Sequence, residues 1–187
     1  MKKLSILTFL FICAFVNLAV AQVGYIITQK GDTIKGELNI GTFGGGKFKP
    51  INKPDFVSVK IDTLKEYQLS DSSVYVLRVI PGSGAKPQIL QGIEHGRINL
   101  YQYETPAGAT SIIAWYASKG TDSLIKLKTS NAFFGGISKK EGKATLSGLF
   151  ADQPDIQKTF DASGKFDFAT IQAYIRKYNK AANGAGK

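Results

Sequence analysis

Alternating apolar and polar residues predict a β-hairpin near the start of the chain, in residues 24–40 (GYIITQKGDTIKGELNI). One face of its second strand would carry Ile34, Gly36, Leu38 and Ile40. Successive side chains of a strand point to opposite faces, so this pattern is typical of a half-buried strand. Gly31 supplies the reversal, because glycine adopts positive φ without steric cost. A hairpin alone is marginal in water, so the rest of the chain must cover its apolar face.

Alternation in residues 57–61, apolar runs and turn signals further along the chain predict a β-rich region. Further strands are expected in residues 57–61, 74–80, 97–104, 111–118 and 123–129, with a hairpin turn at 119–122 between the last two. Residues 74–80 are apolar on both faces, as in a central strand. Residues 88–96 fit either a strand or a helical turn, followed by a reversal at His95. The glycine-rich residues 41–49, with Pro50 and Pro54, predict a loop.

After residue 130 the apolar residues recur at helical spacing. The apolar stripe of the last predicted helix consists of Phe168, Ile171, Ile175 and Tyr178, with Asp167 as N-cap and Asn183-Gly184 past its end. Pro154 suits the first turn of a shorter helix, and residues 137–150 are a weaker helical candidate. We therefore predict one α+β domain over residues 22–187. An antiparallel, curved sheet in 22–130 is followed by C-terminal helices in 131–180, and 181–187 form a frayed tail.

Residues 1–21 have the pattern of a signal peptide. Lys2 and Lys3 precede an apolar run, and small residues at positions 19 and 21 predict cleavage between Ala21 and Gln22. A membrane anchor is disfavoured, because the run is short for a bilayer span and no basic cluster follows it. The protein is therefore expected to be exported, to the periplasm, the outer membrane or the extracellular space. No second apolar span follows residue 21.

The predicted mature chain of 166 residues contains no cysteine, because Cys13, the only one, lies within the signal peptide. Disulfides and thiol chemistry are thereby excluded for it. It keeps 22 basic and 14 acidic residues, a net charge of +8. In an exported protein this charge favours an anionic envelope polymer or an envelope protein as partner over nucleic acid, but a basic, solvated surface is the favoured interpretation. The oligomeric state stays open.

Residues 41–47 (GTFGGGK) match most of a phosphate-binding P-loop, G-x-x-x-x-G-K. The motif then requires Ser or Thr, and this chain has Phe48. It also requires a helix at that point, which Pro50 and Pro54 disfavour. A loop is the favoured interpretation.

The sequence selects no catalytic constellation. His95, the only histidine, stands beside a glycine and suits a turn, and no G-x-S-x-G elbow is present. A zinc site would need a cluster of carboxylates, and none is spaced for one. Candidates for a hydrolytic carboxylate pair are Asp62, Glu66, Glu94, Glu104 and Asp122. Because their spacing selects no pair, we predict no catalytic residue, no metal site and no cofactor.

Four aromatic residues are the candidates for ligand binding: Tyr101, Tyr103, Trp115 and Tyr116. Tyr101 and Tyr103 share one face of a predicted strand. If that face is exposed, the rings can stack on a sugar or a peptide. If it is buried, they belong to the core, which is the commoner place for aromatic residues.

The chain resembles a group of uncharacterised secreted envelope proteins of Bacteroidota. The resemblance rests on the hairpin of residues 24–40, on GRINLYQYE (96–104), on the Trp115-Tyr116 hairpin and on the ending DQPDIQKTF…FATIQAYIRKYN. It implies an envelope or extracellular location and a β-rich region followed by helices. Members often have Cys in a D-C-P motif where this chain has Gln153, so no thiol role is transferred. The group implies no known reaction.

The leading functional hypothesis is a non-enzymatic binding or interaction module of the cell envelope. It predicts an exposed surface that includes Tyr101, Tyr103 and Trp115. One alternative is a hydrolase acting on envelope glycans or peptides, which needs a cleft with two carboxylates or with His95, Ser and Asp. Another is a carrier with an apolar cavity inside the curved sheet.

Overall fold

The structure, a computed structural model, describes residues 23–41, 45–130 and 136–184. The predicted signal peptide and its cleavage site between Ala21 and Gln22 lie outside the described residues.

In the described part of the chain, ten strands form one antiparallel sheet. They are β1 Tyr25–Thr28, β2 Thr33–Ile40, β3 Gly45–Pro50, β4 Val57–Lys60, β5 Leu64–Gln68, β6 Val74–Arg78, β7 Gln88–Glu94, β8 Ile98–Ala107, β9 Thr110–Lys119 and β10 Ile125–Thr129. Their order across the sheet is β10-β9-β8-β7-β6-β5-β1-β2-β3-β4. Sequential strands are therefore neighbours, except that β5 pairs with β1 rather than with β4. The α+β fold with an antiparallel sheet is confirmed.

The predicted first hairpin is present, and β2 also connects two parts of the sheet. Residues 33–35 of β2 pair with β1, whereas residues 36–40 pair with β3. Gly31 has φ +92° in the turn. Of the four apolar-face positions, Gly36 and Leu38 are buried, whereas Ile34 and Ile40 are 38% and 40% exposed. Two of the four positions are thus buried, so the predicted alternation of buried and exposed residues is only partly present.

The loop prediction for residues 41–49 is wrong from residue 45 onward. Glycines and prolines are local loop signals, but β3 runs from Gly45 to Pro50 and pairs with both β2 and β4. Phe48 lies opposite Leu38 and is 1% exposed, so its burial stabilises the strand. A Cβ at Gly46 would lie only 2.6 Å from Cδ1 of Ile61, which explains a glycine inside the strand.

Strand β5 was not predicted, and residues 88–94 prove to be a strand. In β5 the buried residues are Leu64 and Tyr67, three positions apart, because the pairing with β1 shifts register after Ile27. An irregular strand of this kind has no two-residue period to recognise. Strand β7 ends before His95, as the predicted reversal requires.

Within residues 136–184, three helices follow the sheet: α1 Lys139–Leu149, α2 Pro154–Ala162 and α3 Phe168–Gly184. Pro154 occupies the first turn of α2, and the Asp167 carboxylate accepts a 2.8 Å hydrogen bond from the amide of Thr170. Both predicted helix starts are confirmed. The predicted frayed tail is wrong for residues 181–184, which continue α3, whereas 185–187 lie outside the described residues.

The core consists of three clusters. The largest packs the helices on β8, β9 and β10, and includes Ile98, Leu100, Leu127, Phe150, Phe160, Ile171 and Tyr178. A second occupies the other face of β8 and β9 and continues onto β7 and β6, around Leu90, Tyr101 and Tyr116. A third lies in the N-terminal half and unites Ile26, Leu38, Phe48, Ile61, Leu64 and Tyr67. The helices therefore cover only the C-terminal half of the sheet.

Candidate functional site

The predicted aromatic site divides between the two faces of the sheet. Tyr101 lies directly opposite Tyr116 in the β8–β9 pair, and the two side chains are 4% and 6% exposed. Burial, with a smaller contribution from the neighbouring Tyr103, raises the pKa of Tyr116. Tyr103 packs against the same cluster and its hydroxyl donates to Oε1 of Gln88 at 3.2 Å. These tyrosines therefore belong to a core.

Trp115 points to the opposite face, since it neighbours Tyr116 along β9. Its indole stacks on Phe168 of α3, with ring centroids 5.2 Å apart, and its Nε1 donates to Gln102. The expectation that Tyr101, Tyr103 and Trp115 form one exposed surface is therefore wrong. The physical reason is that strand pairing places the two tyrosines in one core and docking of α3 covers the tryptophan.

Two of the candidate carboxylates have structural partners. Glu66 accepts a 2.5 Å hydrogen bond from the hydroxyl of Tyr25, and burial followed by this contact raises the pKa of Tyr25. Glu94, at the end of β7, accepts hydrogen bonds from Gln172 and Arg176 of α3. Within 23–41, 45–130 and 136–184, no group of three or more His, Cys, Asp or Glu residues is placed to hold a metal ion.

A charged cluster that sequence reasoning missed joins the helices to the sheet. Asp152, just before α2, accepts from the hydroxyl of Tyr178 at 2.8 Å and pairs with Lys119 at 2.8 Å and with Arg97 at 2.9 Å. Burial alone would raise the pKa of Asp152, but its hydrogen bonds from Lys119 and Tyr178 bring it below the ordinary value. The partners come from three separate parts of the chain, so no local spacing signals the cluster. The hydrogen bonds and ion pairs of Asp152 thus hold the α1–α2 connection against β9, α3 and the start of β8.

The strongest candidate for a binding site is a cleft beside β4. Its volume is about 700 Å³. Its lining residues are Gly45, Gly46, Ser58, Val59, Lys60, Ile61, Asp62 and Ile89. Ile89 belongs to β7, and five strands separate β7 from β4 in the sheet order. The N-terminal half of the sheet must therefore curl until its last strand approaches the face of β7, and the cleft is the gap that remains.

The cleft is lined mainly by apolar groups at its base. Ile61 is 3% exposed and forms part of the N-terminal core, whereas Ile89 is 40% exposed. Val59 is half-buried, and it lies opposite Gly46, whose missing side chain leaves room over the β3 backbone. Exposed Lys60 and Asp62 stand at the rim. Such a site suits a ligand with apolar groups to bury and polar groups to leave in water.

Comparisons of the chain with protein-family models, with curated proteins and with solved structures gave no match. The resemblance to Bacteroidota envelope proteins therefore stays a hypothesis. The site must be interpreted from its own geometry.

In β4, the backbone N–H and C=O groups of alternate residues point away from the sheet, because only every second residue bonds to β3. The amide of Ile51 donates to Lys35 across β2–β3 at 3.1 Å, and that of Gly41 donates to Gly45 at 2.8 Å. Residues 45, 47 and 49 of β3 thus face β2, and residues 46 and 48 face β4. Because Gly46 lies opposite Val59 and Phe48 opposite Val57, those valines bond to β3. The N–H and C=O of Ser58, between them, then point away from the sheet.

The surroundings of the cleft are basic. Residues 45–65 contain five lysines and two aspartates, a net charge of +3. Lys47 lies opposite Ser58, and Lys60 lines the cleft. The three ion pairs among the described residues are made by Arg97, Lys119 and Arg176, so these lysines take part in none of them. Lys47 and Lys60 are exposed, whereas the Lys49 ammonium lies 5.8 Å from the ring centroid of Phe56.

Among the described residues, no helix is long and apolar enough to cross a membrane.

Proposed function

We propose that the protein is an exported, non-enzymatic binding module of the cell envelope and that it binds its partner at the β4 cleft. The observation that carries the proposal is the apolar-based cleft of about 700 Å³ beside a sheet edge that, in the described part of the chain, pairs with no further strand. Its volume is within the usual range for ligand sites. Export is supported by the signal-peptide pattern of residues 1–21, and the periplasm, the outer membrane or the extracellular space is the proposed location.

The cleft replaces the aromatic strand as the proposed contact surface. It combines an isoleucine that is 40% exposed, the edge strand β4 and a lysine-rich rim, whereas Tyr101 and Tyr116 are buried and have no access to a partner. A partner that buries Ile89 would gain about 1 kcal/mol or more from removing apolar surface from water.

The test is co-sedimentation of residues 22–187 with envelope fractions at low and high salt. The cleft variant is Ile89→Asp, and the matched control is Ile125→Asp. Both isoleucines lie on strands and are 40% and 36% exposed, but Ile125 lies on β10 at the other edge of the sheet. We expect Ile89→Asp to reduce the bound fraction about tenfold and Ile125→Asp to leave it unchanged.

Equal binding by the two variants would refute the assignment to the cleft. Failure of the unaltered protein to sediment with any envelope fraction would refute the binding function itself. Loss of binding at high salt would identify the lysine-rich rim as a main contributor, since exposed charges are screened.

A further inference from the structure

We propose that the partner is a protein with an extended, acidic segment, which adds as a new strand to the free edge of β4. This inference rests on the proposed function and specifies the partner of the same site. The segment would alternate apolar and acidic side chains, the apolar ones entering the cleft and the acidic ones facing the lysines.

The backbone of β4 is arranged to receive such a strand. Pairing with β3 uses the groups of Val57 and Val59, so those of Ser58 point to the open side. The amide of Lys60 points the same way, while its carbonyl accepts a 2.7 Å hydrogen bond from the hydroxyl of Thr63. An added strand would satisfy these groups with main-chain hydrogen bonds, which is how peptides bind to the exposed edge of a sheet.

The cleft accepts every second side chain of the added strand. Side chains of neighbouring strands point to the same face at paired positions. Those that continue the row of Gly46 and Val59 would therefore enter the space bounded by Ile61 and Ile89. Val57, which is 52% exposed, lies on the same face and would be covered as well. A volume of about 700 Å³ leaves room for several such side chains.

The side chains on the opposite face of the added strand determine which charge the partner should carry. On the opposite face, the added strand would neighbour Ser58 and Lys60, with Lys47 one strand further. Glutamate or aspartate at these positions would be attracted to the ammonium groups, whereas lysine or arginine would be repelled. The same charges disfavour a second copy of this chain, because each copy carries a net +8 after the predicted cleavage. The geometry thus favours an acidic partner over self-association.

The contrast with the other edge of the sheet supports this choice. Helix α1 packs against β10, and a Cβ at Gly142 of α1 would overlap the carbonyl oxygen of Leu127 in β10. That edge is therefore covered closely by the chain itself. On β4, three of the four residues are exposed, and among the described residues its strand partner is β3 alone. Strand β4 is short and carries Lys60, both of which limit unspecific pairing at a sheet edge, so the apolar cleft beside it and the charge of the lysines are what select a particular added strand.

The test uses a fluorescent, end-blocked peptide of seven residues that alternates glutamate and valine, measured by anisotropy with residues 22–187. Ser58→Pro removes the outward amide and places a ring on the edge, and proline is tolerated at such edge positions. Ser58→Ala is the matched control, because it keeps the amide. We expect Ser58→Pro to weaken binding about tenfold or more, and Ser58→Ala to change it less than about twofold.

A second measurement does not depend on how Ser58→Pro folds. The same peptide with alternate backbone nitrogens methylated loses its donors on one side, and we expect it to bind about tenfold more weakly. A peptide with lysine in place of glutamate should also bind more weakly, with the difference shrinking at high salt. The Ser58→Pro protein is checked for folding by the emission of Trp115, the only tryptophan.

The outcomes separate this inference from the proposed function. If Ser58→Pro and methylation leave peptide binding unchanged, strand addition is refuted. If, in addition, envelope binding still depends on Ile89, the cleft remains the binding site and another kind of ligand occupies it. No binding of the acidic peptide by the unaltered protein would also refute strand addition by an acidic segment.

Discussion

Replacing Asn179 by alanine should destabilise the protein strongly, although Asn179 belongs to no predicted site. Its side-chain amide donates to the carbonyl of Ile98 at 2.8 Å and accepts from the amide of Ile98 at 2.9 Å. Strand β7 ends opposite Leu100, so it offers no partner to Ile98 on that side. Asn179 thus takes the place of a strand residue and joins α3 to β8.

The expected loss of stability follows from the backbone groups of Ile98 that would lose their hydrogen-bond partners. Ile98 is fully buried and Asn179 is 6% exposed. An unsatisfied buried backbone group costs about 1–3 kcal/mol, and Asn179→Ala would leave two of them. Water that enters the vacated space would restore part of this, so we expect a loss of about 3 kcal/mol. For a domain with a free energy of unfolding of about 5–15 kcal/mol, that is a large fraction.

Urea denaturation followed by the emission of Trp115 measures the loss. This residue stacks on Phe168 of α3, so its environment reports whether α3 is docked on the sheet. Asn183→Ala is the control, because Asn183 is an exposed asparagine in the same helix and should change stability by less than about 0.5 kcal/mol. If Asn179→Ala costs no more than Asn183→Ala, the two hydrogen bonds do not contribute to stability and the reasoning is wrong.

Three further predictions follow from the docking of the helices. Gly142→Ala should destabilise the protein by about 2 kcal/mol, because the added Cβ would overlap the Leu127 carbonyl. Gly148→Ala in the same helix has open space and should stabilise the protein by up to about 1 kcal/mol. Thermal unfolding of the two variants measures both effects. The pKa of Asp152 is lower in the folded than in the unfolded chain, so its contribution is complete above about pH 4 and is lost as the pH falls through its folded value. Asp152→Asn should therefore reduce the loss of stability between about pH 4 and pH 2 in urea titrations, and an unchanged acid dependence would contradict this. Burial, with a smaller effect of Tyr75, raises the pKa of Tyr67 to about 12, so stability should fall above about pH 10, and Tyr67→Phe should weaken that fall.

Periodic, locally encoded elements could be predicted from the sequence. The first hairpin alternates, residues 74–80 form a continuous apolar run, residues 111–118 precede a turn, and the last helix has a cap at Asp167. Strand β3 could not be recognised, because its glycines and prolines are local loop signals and only long-range pairing with β2 and β4 overrides them. The same holds for β5, whose register shift removes the alternation.

The candidate site was less predictable than the fold, because its lining residues come from distant parts of the sequence. The aromatic residues were prominent in the sequence, but which face of a strand is buried depends on what packs on it, and α3 covers one face while a core covers the other. The cleft joins residues 45–62 to Ile89 only through the curl of seven strands. The cluster around Asp152 likewise joins Arg97, Lys119 and Tyr178. No spacing pattern in the sequence indicates that these residues lie close together in the fold.

The position of the helices explains why one half of the sheet remains open. All three follow the last strand, and the connections between them are short, so they pack on the strands nearest in sequence, β8 to β10. The N-terminal strands must bury their apolar residues by curling on themselves, around Phe48, Ile61 and Tyr67. A curl of this kind leaves a last strand with free backbone groups unless it closes completely. The gap at β4, with Ile89 facing it, is therefore a direct consequence of the order of elements along the chain, and an added strand is the structure that would complete it.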